Sequence, residues 1–176
     1  MQLNREQRRR EARAAGRKSQ RGVIKPLAWQ HIAANMTLSN TSPLQEASRN
    51  AIVLPAYQAL DRLTKGACDA AGYLDLVEMN YFGHRLAQRL AEFSNAAEQL
   101  RQTEPEFTAA GEALAAIGER SNVTGRFTPK GDELRLVRAS MQMLDELLGL
   151  STTGHALSAL KQAAQDIEAT QRAVAA

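Results

Sequence analysis

TPKGDELRLVRASMQMLDELLGL, residues 128–150, is the stretch that decides the fold class. Leu134, Val137, Met141, Leu144 and Leu148 recur at alternating steps of three and four. That period gathers them on one stripe of an α-helix and would scatter them over both faces of a strand. Leu136, Met143, Leu147 and Leu150 form a second apolar row, so the buried face is expected to be broad and the helix central in a bundle. Thr128 followed by Pro129 is a start signal: the threonine suits an N-cap, and proline suits the first helical position, where its missing N–H has no intrahelical partner to lose. Asp132 and Glu133 then place negative charge at the positive end of the helix dipole. Gly149 and Gly154, among Ser151, Thr152 and Thr153, predict the stop and a tight turn.

Similar patterns extend to both sides. Ser42-Pro43 predicts a helix running to Lys65 and closed by Gly66, with a kink or break at Pro55. A long helix is predicted from Ala67 or Asp69 to Arg101, buried along Leu76, Met79, Leu86, Leu90, Phe93, Ala97 and Leu100 and thickened by Val77 and Tyr81. Gly83 within it marks a close crossing with another helix. Thr103-Glu104-Pro105-Glu106 opens a shorter helix through Phe107, Ala110, Leu114 and Ile117, ending between Gly118 and Ser121. The last helix spans Thr153 to Val174 on Leu157, Leu160, Ala164, Ile167 and Val174. The expectation is an all-α, single-domain bundle of about five helices over 43–176, with a connector at 26–42 and an arm at 1–25.

Composition agrees. The chain has 176 residues, enough for one core, and only 5% aromatics, so that core must be largely aliphatic. Cys68 is the single cysteine. It excludes an internal disulfide and any site built from several thiolates, and it fits a reducing cytoplasm. No apolar run approaches the ~18 residues of a membrane span. The arginine-rich start lacks the apolar segment of a secretory signal.

Catalytic patterns are missing. His31, His84 and His155 lie far apart in sequence, and no Glu-x-x-His pair occurs. There is no phosphate-cradling glycine loop and no Gly-x-Ser-x-Gly elbow. The carboxylate pairs Glu104/Glu106 and Asp132/Glu133 sit where helix starts favour them. No catalytic residue, metal ligand or cofactor is therefore assigned, and the chain reads as a non-enzyme.

Charge supplies the one functional signal. Residues 1–25 carry nine basic side chains against Glu6 and Glu11, a net of +7; the remainder carries thirteen basic and seventeen acidic groups, a net of −4. Arg5, Arg8, Arg9, Arg10, Arg13, Arg17, Lys18 and Arg21 are the candidate nucleic-acid contacts, since guanidinium forks pair with phosphate oxygens. Trp29, the only tryptophan, is the candidate docking anchor. The string RRREARAAGRKSQ, Arg8 to Gln20, resembles the arginine-rich antitermination peptides of lambdoid phages. The resemblance implies RNA contacts at Arg8, Arg9, Arg10, Arg13 and Lys18.

The whole chain looks like a small accessory protein of a phage or plasmid. The favoured expectation is a binding protein of a bacterial mobile element, whose body docks on a protein and whose arm meets nucleic acid or a ribonucleoprotein. The alternatives are an anti-CRISPR-like inhibitor of a host defence complex and a homo-oligomeric structural subunit.

Overall fold

The computed structural model describes residues 41–93 and 97–175. Among them the chain forms an all-α bundle of five long helices and one short one. These are α1 (Glu46–Thr64), α2 (Ala70–Phe93), α3 (Ala97–Arg101), α4 (Glu104–Thr124), α5 (Gly131–Leu150) and α6 (Thr153–Ala175). Gly66 and Gly125 follow α1 and α4 with φ of 67° and 73°. This left-handed region closes a helix at little cost only when no Cβ is present.

The centre is α2, not the 128–150 helix: α2 packs against every other helix, whereas α5 packs chiefly on α1, α2 and α4. The sequence disguises this because α2 is buried on several sides with mixed residues. Leu76, Met79, Phe82 and Leu86 are buried, and so are Glu78, Asn80 and Gly83. A helix surrounded by others needs no single apolar stripe. On α5 the first stripe is core, with Val137, Met141, Leu144 and Leu148 all buried. The second row is not: Leu147 is buried, but Leu136 and Leu150 are 36% and 72% exposed.

Several helix ends differ from expectation, each for a local reason. α5 starts at Gly131 and not at Pro129, because Glu133 folds back to accept the Lys130 backbone N–H at 2.7 Å. That bond satisfies one of the donors a helix start leaves over. The Thr128 carbonyl accepts from Arg120 instead. α5 stops at Ser151 without help from Gly149 or Gly154, and Thr152 Oγ1 accepts the His155 N–H at the start of α6.

Ser42-Pro43 does not open α1. Pro43 forms an isolated antiparallel bridge with Thr152, through Leu44 N–H to Ser151 O (3.1 Å) and Thr153 N–H to Ser42 O (2.9 Å). α1 runs unbroken past Pro55, which faces solvent. The carbonyl deprived of its partner there belongs to Ala51, itself exposed. The expected 67–101 helix is two, α2 ending at Phe93 and the five-residue α3 resuming at Ala97. α4 continues through Gly118 to Thr124.

The core is aliphatic apart from Phe82 and Phe107, the largest fully buried side chains. On α6 it is mostly alanine: Ala156, Ala159 and Ala163, with Leu160, are buried. Small side chains let α6 lie close along α2. No helix among the described residues is long and apolar enough to cross a membrane.

Candidate functional site

The residues singled out from the sequence, Arg5, Arg8, Arg9, Arg10, Arg13, Arg17, Lys18, Arg21 and Trp29, lie outside the described residues. What the structure does show is how the acidic body is held and which surfaces it offers.

Three arginine–carboxylate pairs link neighbouring helices. Arg49 Nε donates to Asp145 Oδ1 at 2.8 Å between α1 and α5, and Arg85 pairs with Asp166 between α2 and α6. Arg120 at the end of α4 grips both oxygens of Glu133 at the start of α5. Each salt link consumes an arginine of the body in holding the bundle. Glu133 is the most buried of these carboxylates, with its side chain 10% exposed. Burial pushes its carboxyl upward, but the bonds from Arg120 and the Lys130 N–H outweigh this and leave it below the usual carboxylate range.

The sign of the pH effect follows. With its folded pKa depressed, Glu133 stabilises the fold fully above the ordinary carboxylate pKa of about 4.3, and that contribution is lost as pH falls through the lower folded value. Glu133→Gln should therefore melt below the parent at pH 7, and the gap in Tm should close as pH falls from about 5 toward 3. A gap independent of pH over that range would reject the assignment.

Between α2 and α4 lies a half-open cleft of about 350 Å³. α2 supplies Tyr73, Val77, Asn80, Tyr81 and His84, which fall on one helical face; Phe107, Gly111 and Leu114 of α4 face them. The volume is at the lower end of small-ligand pockets. Asn80 is buried and its Nδ2 donates to the Phe107 carbonyl at 3.0 Å, while Oδ1 has no protein donor. The Tyr73 hydroxyl donates to Leu114 O at 2.8 Å, and its ring stacks on Phe127 with centroids 4.5 Å apart.

His84 lies beside Gln88, with 3.2 Å between Nε2 atoms. Burial lowers its pKa and Arg85 adds to the effect, against Glu104 and Asp166, so the ring is neutral at pH 7. No carboxylate or thiol lines the cleft, and the Thr108 hydroxyl is committed to Glu104 O. The cleft offers an apolar floor with a polar edge.

Elsewhere, Cys68 is half-buried. Burial, together with Asp69 and Asp75, pushes its thiol up to about 11, which keeps it protonated and a poor nucleophile. No group of three or more metal-ligating side chains occurs among the described residues.

Sequence reasoning missed Asn80, Phe82, Tyr73 and the Arg120–Glu133 grip. Only the last left a readable trace: Glu133 stands three residues after the true N-cap. No family model, no curated protein and no solved structure matches the chain.

Proposed function

We propose that the chain is a non-enzymatic binding protein, whose helical body docks on a protein partner and whose basic arm contacts nucleic acid or a nucleoprotein complex. The observation that carries this reading is the division of charge, +7 on residues 1–25 against −4 on the remainder. A body of that sign repels a polyanion, and three of its arginines are committed to holding helices together. Attraction to phosphate then falls to the arm, where closely spaced guanidinium groups displace condensed counterions.

The full-length chain carrying Arg8, Arg9, Arg10 and Arg13→Ala tests this against labelled RNA hairpins and duplex DNA. The parent should bind with an affinity that falls steeply with salt, and the variant should lose up to about four units of the log–log salt slope. Equal affinity and equal slope for the two proteins would refute a role for the arm. The balance between RNA and DNA binding in the same titrations tests the likeness to antitermination peptides.

A further inference from the structure

The outer side of the α4–α5 hairpin carries two apolar rows at the surface. Ala109, Ala116 and Val123 lie on α4, and Leu136, Met143 and Leu150 on α5, every step being seven residues. Val123 is 87% and Leu150 72% exposed, while Ala109, Ala116 and Met143 are half-buried. Their place follows from the Arg120–Glu133 pair that spans the seam between the two helices. Ala116 and Val123 stand four before and three after Arg120, and Leu136 stands three after Glu133, so each row shares the face of the residue that reaches across. Two packed helices leave a groove at their seam, and these rows border it over fourteen residues of helix, about 21 Å.

The rim of this groove is acidic. Glu112 and Glu119 flank Ala116 at four before and three after, and Asp132 and Glu146 stand four before Leu136 and Leu150. All four are exposed, and none is ion-paired to another described residue. Three arginines occur on these helices. Arg120 is bound to Glu133 and Arg138 turns to Thr64 of α1, which leaves Arg135 on the helices, with Arg126 and Lys130 in the loop at one end, against the four carboxylates. Seven-residue spacing on two adjacent helices is the register in which a further helix seats its own apolar row. An amphipathic helix laid in such a groove is a recurring mode of recognition, and the rim selects its charge.

We propose that the α4–α5 groove is the docking surface for a partner's amphipathic helix whose apolar row is flanked by lysine or arginine. This rests on the protein-docking half of the function proposed above and is independent of the arm's contact with nucleic acid.

Two synthetic helices test it against the full-length chain by fluorescence anisotropy. Both carry leucine at heptad positions, one with lysine and the other with glutamate at the flanks. The lysine-flanked probe should bind in a salt-dependent way, and the glutamate-flanked probe at least about tenfold more weakly. Glu112→Lys with Glu119→Lys sets two lysines against the two remaining carboxylates and should erase that preference, and Leu150→Glu should abolish binding of the lysine-flanked probe while leaving the helical circular dichroism unchanged.

Equal binding of the two probes to the parent, or a preference that survives the two lysine substitutions, overturns the proposal. So does sedimentation showing a dimer of the parent that Leu150→Glu dissociates, since a second copy would then occupy the groove. A probe affinity that rises when Arg8, Arg9, Arg10 and Arg13 are replaced by Ala would assign the groove to the chain's own arm, again overturning it. Nucleic-acid titrations of the groove variants separate the two readings, because these substitutions leave the arm intact.

Discussion

Gly83→Ala is expected to destabilise the fold by about 1–3 kcal/mol, the range for overpacking a filled core. A Cβ on Gly83 would fall 2.3 Å from Cε1 and 2.7 Å from Cζ of Phe107. Phe107 is only 1% exposed, so its ring can withdraw only toward the cleft it lines and would give up core packing to do so. In an ordinary helix interior the same substitution gains up to about 1 kcal/mol from propensity. The sign of the change is therefore diagnostic, because the two effects oppose each other and the clash should win. Urea unfolding measures it. Shortening the ring with Phe107→Leu should make Gly83→Ala nearly harmless in that background, a coupling that a double-mutant cycle reads directly. A Gly83→Ala protein more stable than its parent would show that α2 and α4 do not approach this closely.

The second large effect tests which helix is the hub. Leu86→Ala in α2 should cost about 2–5 kcal/mol, as buried leucine truncations do when surrounding elements cannot collapse into the space. Leu86 is 0% exposed in a helix walled by neighbours, so little relaxation is open to it. Leu150→Ala, at a position 72% exposed, should change stability by no more than about 0.5 kcal/mol. Against a typical total of about 5–15 kcal/mol, the first change leaves a marginal fold and the second is barely visible in the denaturation midpoint. Similar losses for the two variants would mean that Leu150 is buried as fully as Leu86.

These two helices also show what the sequence could and could not disclose. The stripe Val137, Met141, Leu144, Leu148 was legible because α5 rests against the bundle on one side, where apolar period and burial coincide. The same rule overextends to Leu136 and Leu150, since period alone does not say where a neighbouring helix ends. In α2 burial on several sides removes the contrast between faces, and Asn80 and Glu78 look like surface residues until their surroundings are known.

Glycines divided in the same way. Gly66 does end a helix, and Gly83 does mark a crossing. Gly118, read as an end, is a gap beneath the Tyr73 hydroxyl, where a Cβ would come within 2.5 Å. A glycine that stops a helix and one that admits a neighbour are the same letter. Of the functional residues, the arm is legible only as charge and lies outside the described residues. The cleft at Asn80 and His84 left no pattern to read, because its two walls are remote in sequence.

The bridge joining Pro43 to Thr152 has a mechanical consequence. Ser42 and Leu44 are bonded to Thr153 and Ser151 at the corner between α5 and α6, so tension on the front of the chain is divided before it reaches α1. Whatever the leading residues grip would pull on two helices and their joint at once, instead of unpeeling the first turn of one. The body is moored at that corner, and Thr153→Pro, which removes the N–H bonded to the Ser42 carbonyl while suiting the first position of α6, should lower the force at which α1 detaches in a pulling experiment.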